Sequence, residues 1–134
     1  MNIKAYVFLF VIVTAAIIFK DDSRILIAKR HHYWEFPGGR LEEDESMEDC
    51  IVREIKEELC LDIIPVKKFC IEKDNEIELH VFIAKYAGGE LKLNFHQAAK
   101  WVKIGDLKNY KFLPLDERVV KKLIASQAFN NKAD

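Results

Sequence analysis

Residues 42–58 hold nine carboxylates against two basic side chains, Arg53 and Lys56, a net of −7 in a chain whose total charge is −1. Glu54, Glu57 and Glu58 stand at i, i+3 and i+4, so a helix would line them along one face. Like charges at that spacing destabilise a bare helix by roughly 0.2–0.5 kcal/mol per pair. A divalent cation over the face would remove that penalty. Hard cations such as Mg²⁺ take carboxylate oxygens and use their remaining positions on phosphates. Phosphoryl transfer in turn asks mainly for a positioned water and neutralisation of developing charge. The pattern points to a metal-assisted phosphate site. The plainer alternative is an acidic, solvated amphipathic helix.

The spacing is specific. Gly39, Glu45, Arg53-Glu54-Ile55, Glu57-Glu58 and Leu61 resemble the Nudix box, and Trp34-Glu35-Phe36-Pro37-Gly38-Gly39 is similar to the entry to that box in MutT-type members. Cys60 departs from the pattern, which has glycine there. The resemblance implies Mg²⁺, with Mn²⁺ as a substitute, held by Glu54, Glu57, Glu58 and Gly38. One glutamate, Glu54 by analogy, would instead orient or deprotonate the water. It also implies that Glu45 and Arg53 form a structural ion pair locking the loop onto the helix. Arg30, Phe36, Gly38, Gly39 and Asp116 would bind the nucleotide, the glycines by letting backbone approach closely. For Arg30 a solvated strand end, and for Asp116 a helix cap, are the plain readings.

MutT-like enzymes often draw a further acid from the loop before the last core strand. Here that loop reads Asn94-Phe95-His96-Gln97 and holds no carboxylate. His96 could serve in its place, although a lone loop histidine is more often solvated. The activity implied is hydrolysis of a nucleoside triphosphate to the monophosphate and pyrophosphate. Oxidised dGTP leads as substrate and a cytidine triphosphate follows. Rivals are hydrolysis of a nucleoside diphosphate sugar or dinucleotide and, from another class, a non-catalytic nucleotide-binding Nudix module. An intact, self-repelling glutamate set argues against the last.

The elements that must position these groups are legible in outline. With 134 residues, 50% apolar and 32% charged, the chain fits one domain, residues 1–134, with a core of its own. Near-zero net charge excludes a global field for a nucleic-acid polymer. The odd cysteine count, Cys50, Cys60 and Cys70, fits buried thiols in a reducing cytoplasm. Residues 5–19 carry no charge and follow Lys4, the start of a signal peptide in outline. That run is too short for a membrane span, and its β-branched and aromatic content reads better as a core strand in a cytosolic, non-membrane protein. The protein would be a monomer or homodimer.

Strands are expected at 6–19 and 24–30, then a loop through His31-His32, both read as surface residues, into a Gly38-Gly39 turn. The box helix is expected over 46–59, with Ser46 and Asp49 as a weak capping box and Met47, Cys50, Ile51, Ile55 and Leu59 as its apolar stripe. Further strands are expected at 63–73, 76–86 and 99–104, with Ile77, Leu79, Val81 and Ile83 alternating with Glu78, His80 and Phe82. Ala87-Gly88-Gly89 reads as a turn. Leu115, Val119, Val120, Leu123 and Ile124 mark a last helix to about 126. Pattern alone gives an α+β or α/β sandwich. The resemblance narrows this to an α/β/α sandwich, a mixed β-sheet between helices.

Overall fold

The apolar run near the N-terminus forms strand β1 (Val11–Lys20) at the middle of the sheet. The computed structural model describes residues 10–21 and 23–133, so positions 6–9 of the expected strand lie outside the described residues. On β1, Ala15 and Ile17 enter one core cluster while Ala16 and Ile18 enter another. A strand buried on both faces reads as a continuous apolar run, which is what this segment does. The other strands are β2 (Arg24–Arg30), β3 (Tyr33–Glu35), β4 (Gly38–Arg40), β5 (Asp62–Lys73), β6 (Ile77–Gly88) and β7 (Ala98–Lys103). Their order is β3-β2-β1-β6-β5, with β4 also on β1 and β7 also on β2. β1 and β6 run parallel, Val11 opposite Ile77 through Phe19 opposite Lys85, and the other pairs are antiparallel. The sheet is mixed.

Helix α1 (Met47–Leu59) closes one face and helix α2 (Pro114–Ala133) the other, giving the α/β/α layering. Ile51, Ile55 and Leu59 of α1 are buried against Ala16, Ile18 and Leu26, and Cys50 is buried beside Thr14. Each large aliphatic side chain removed from water there contributes about 1.5–3 kcal/mol. Ser46 caps α1 by accepting the Asp49 N–H at 3.0 Å, half of the expected capping box. At the other end Cys60 is left-handed, φ 60° and ψ 25°, and its N–H reaches the Lys56 carbonyl at 3.0 Å. That conformation is where helix ends favour glycine.

Four expectations are corrected. Residues 33–40 are not a loop and turn but two short strands, with Gly38 opposite Ala15 and Gly39 opposite Thr14. A Cβ on Gly38 would stand 1.9 Å from the Thr14 carbonyl oxygen, so only glycine lets β4 lie flush on β1. β6 runs on to Gly88, and its polar side is covered as well: His80 is buried and meets Glu78 at 2.7 Å. The period-two pattern there runs along a strand covered on both faces, with Leu79 and Val81 in the core cluster shared with α2 and Ala84 in the one shared with α1. α2 continues to Ala133, beyond the apolar stripe that marks it in the sequence. Of the cysteines, Cys50 is buried, but Cys60 and Cys70 are only half-buried.

Candidate active site

Arg53 organises the carboxylates of α1. Its Nε and Nη2 donate to the two oxygens of Glu45 at 2.9 and 2.7 Å, the two-pronged pair that fixes guanidinium against carboxylate. Nη2 also reaches the Arg40 carbonyl at 3.2 Å, tying the 40–45 turn to the helix. That guanidinium holds the Glu45 carboxyl down at about 2. Nη1 donates to Glu54 at 2.9 Å and to Glu57 at 3.2 Å. The expected locking pair is present, and it extends to two of the three face glutamates.

Glu58 differs from its neighbours. Burial, followed by the nearby charges of Glu54 and Glu35, pushes its carboxyl up to about 8. Its Oε1 is buried without a hydrogen-bond partner. Glu54 is also raised, first by burial. Glu57 remains 59% exposed. Among the described residues no three His, Cys, Asp or Glu side chains form a ready-made cage, since Arg53 draws Glu54 and Glu57 to itself. The donor set nevertheless fits a hard divalent cation, with clustered carboxylates of which one has an orphaned, buried oxygen. A Cβ on Gly39 would stand 2.2 Å from the Glu54 carboxyl carbon. The close approach that glycine permits at 38 and 39 is thus to Thr14 and Glu54, with the backbone of β4 passing directly under the glutamate face.

A cleft of about 560 Å³ opens beside this face, lined among others by Arg30, Glu35, Gly38, Gly39 and Asp116. Phe36 lines it too, but its ring stacks on Phe112 at 5.5 Å inside the core, and its backbone is what it offers. That backbone N–H donates to Asp116 Oδ1 at 2.8 Å. Asp116 is therefore no simple cap of its own helix. Burial pushes its carboxyl up to about 7. Arg30 ends β2 with its side chain 45% exposed, 3.7 Å from Glu35. His96 is not solvated: it is buried, with Nε2 at 2.8 Å from Glu35 Oε2. His31 and His32 are exposed, as expected.

Glu35 is the site residue that sequence reasoning passed over. It stands in the Trp34–Gly39 entry motif without an assigned role, and the three-residue strand β3 sets it opposite Ala28, and so on the same side as Arg30 two residues on. Asn94 was likewise not singled out. Its Nδ2 donates to the Glu57 carbonyl at 2.9 Å and its N–H to the Glu58 carbonyl at 3.0 Å, closing the end of α1.

A model of the NUDIX domain matches residues 9–123. The chain belongs to the Nudix family. It is a Nudix pyrophosphohydrolase of the MutT type, a hydrolase acting on phosphoric anhydrides. The CTP pyrophosphohydrolase of Escherichia coli K12 is 32% identical over 127 residues, covering 87% of this chain and 93% of that protein. The 8-oxo-dGTP diphosphatase of Buchnera aphidicola is 30% identical over 118 residues, covering 84% and 91%. Among solved structures, a MutT from work on the Aliivibrio salmonicida and Vibrio cholerae proteins superposes with a TM-score of 0.79 at 33% identity, covering 88% and 99%. The solution structure of the E. coli ORF135 protein gives 0.80 at 30%, covering 89% and 91%. Nudix hydrolases in general use divalent metals, in keeping with the carboxylate face of α1. Among the described residues no helix is long and apolar enough to cross a membrane.

Proposed function

We propose that this Nudix protein hydrolyses a nucleoside triphosphate to the monophosphate and pyrophosphate, with Mg²⁺ held by Glu57, Glu58 and the Gly38 carbonyl and Glu54 left to the attacking water. Mn²⁺ would substitute. The observation that carries this reading is the cleft that opens beside the glutamate face with Asp116 in its wall. Bound Mg²⁺ would offset the charge that develops on the phosphate oxygens. The protein's own groups do the rest. Glu54, raised by burial, is suited to take a proton from the attacking water. Arg30 meets the phosphates, and the Arg53–Glu45 pair holds α1 in register with β4.

Asp116 selects the base. Its Oδ1 already accepts the Phe36 N–H, which leaves Oδ2 as the oxygen wholly free for a ligand. Above about pH 7, where Asp116 is ionised, it only accepts and so favours a base edge carrying N–H donors. Guanine, oxidised or not, offers the paired donors N1–H and N2–H₂, which are best met by two free oxygens. Cytosine offers a single exocyclic amino group. The engaged Oδ1 therefore favours CTP or a modified dCTP over oxidised dGTP, although the latter remains the second reading.

Steady-state kinetics on CTP, dCTP, dGTP, 8-oxo-dGTP, ADP-ribose and a UDP-sugar, with pyrophosphate and orthophosphate measured separately, test the proposal. Pyrophosphate release with the highest kcat/KM on a cytidine nucleotide is expected. Turnover of ADP-ribose or the UDP-sugar alone, or nucleotide binding without turnover, overturns it. Asp116→Asn should shift the cytidine-to-guanine ratio of kcat/KM by about tenfold, since mispairing a buried polar edge costs over 1 kcal/mol. Equal losses on every nucleotide would remove Asp116 from base selection.

A further inference from the structure

The loop at 94–96 grips the site at three points, although it brings no carboxylate to it. Asn94 closes the end of α1 on the Glu57 and Glu58 carbonyls. Phe95, 51% exposed, has its ring 5.8 Å from the Arg30 guanidinium carbon. His96 meets Glu35 through Nε2 at 2.8 Å and packs edge-on against the Phe95 ring at 4.9 Å. Glu35 in turn stands 3.7 Å from Arg30 Nε. Arg30 is thus bracketed by a carboxylate and a ring, and both are fastened to consecutive residues of one loop.

Two features argue that this bracket serves direction more than stability. An ion pair to a side chain 45% exposed, and a cation–π contact at such a site, add little to folding. His96 also bears a cost. If Nε2 donates to Glu35, then Nδ1 is the bare acceptor, and that atom is buried with no partner. An apolar side chain would fill the space with no orphaned atom. What the imidazole adds is the hydrogen bond that fixes Glu35.

We propose that Phe95 and His96 are positioning residues that aim Arg30 at the polyphosphate of the nucleotide, Phe95 directly and His96 through Glu35. This rests on the nucleotide reaction proposed above. A guanidinium recognises phosphate through a planar fork of N–H groups, so its value depends on orientation held before the ligand arrives. Loss of the bracket leaves the charge in place but lets it wander. The effect therefore falls mainly on substrate binding.

The test compares His96→Leu, His96→Gln, Phe95→Leu, Phe95→Tyr and Arg30→Ala, alone and with Arg30→Ala as background. Three readouts are taken: KM and kcat on the nucleotide that the unsubstituted protein hydrolyses best, calorimetric affinity for its α,β-methylene analogue, and melting temperature. His96→Leu and Phe95→Leu should raise KM and weaken analogue binding by about tenfold, with kcat within about threefold. His96→Gln keeps a donor at the Nε2 position and Phe95→Tyr keeps the ring, so each should stay within about threefold of the unsubstituted protein. In the Arg30→Ala background neither loss should add further. Unchanged KM in His96→Leu and Phe95→Leu overturns the proposal. So do fully additive losses on Arg30→Ala, and so does a loss that tracks melting temperature without rescue by His96→Gln. An unsubstituted protein that binds the analogue but hydrolyses no triphosphate would overturn the parent reading alone, since the affinity comparison still tests the bracket.

Discussion

Glu58 opposes folding where it stands, and the proposed reaction gives it a chemical use. Its carboxyl is pushed up to about 8 by burial and by Glu54 and Glu35, and one oxygen has no partner. Glu58→Gln should lower kcat by about 10²-fold or more, the scale of losing one preorganised electrostatic contact. The same substitution should hold or raise the melting temperature in EDTA. Glu57→Gln should lose activity comparably. Near-normal turnover of both variants at saturating Mg²⁺, read as pyrophosphate release, would remove them from the metal site. Cys60 makes the opposite comparison, with strain and no assigned chemistry. Its left-handed backbone costs a non-glycine residue about 1 kcal/mol, so Cys60→Gly should raise the melting temperature and leave kcat unchanged. A lower melting temperature would mean that the 3.4 Å contact between Cys60 Sγ and Asn94 outweighs the strain. The glutamate face was legible because helix spacing fixes its placement, and Cys60 because the box pattern has glycine there. His96 was not: a histidine in a polar loop carries no sign that Phe95 packs on it and Glu35 meets it.

At the scale of elements, α1 announces itself through cap, stripe and acidic face, whereas β3 and β4 do not. Strands of three residues hold too few side chains for period two to register, and paired glycines read as a turn. Their meaning comes from the neighbour, since β4 must pass between β1 and Glu54. The two glycines should therefore respond differently to the same substitution. In Gly38→Ala the new methyl meets the Thr14 backbone, which cannot give way, and about 3 kcal/mol of stability is at risk. In Gly39→Ala it meets the carboxyl end of Glu54, which can swing aside. Gly39→Ala should keep most of its melting temperature while kcat falls, because the displaced group is the proposed base. Thermal unfolding beside kinetics on the pair checks this. Equal thermal losses would show that Glu54 is as rigid as the backbone of β1.

Over the whole molecule the charge pattern makes stability, pH and metal interdependent. Glu58 and Asp116 have folded-state carboxyls raised from 4.5 to about 8 and from 3.8 to about 7, so the native state binds more protons than the unfolded chain through that range. Stability from each is fully present below its unfolded value and is lost as pH rises through its folded one. Glu45 runs the other way: held down to about 2 by Arg53, it contributes above its unfolded value and fades only in strong acid. In EDTA the protein should therefore be most stable near pH 5 and lose stability towards pH 8. Asp116 alone accounts for up to about 4 kcal/mol if its shift is fully expressed. Glu58, which is less enclosed, adds less than its shift implies. Asp116→Asn and Glu58→Gln should each flatten the slope, because neither variant titrates at that position. A divalent cation acts on one side of this balance only. Held as proposed, it would bind ionised carboxylates on α1 and leave Asp116 untouched, so Mg²⁺ should raise the melting temperature more at pH 8 than at pH 6. Calorimetric scans across that range, with Mg²⁺ or EDTA, check both. A flat profile in EDTA would mean that the buried carboxyls relax to water, and a Mg²⁺ shift independent of pH would place the ion away from Glu58.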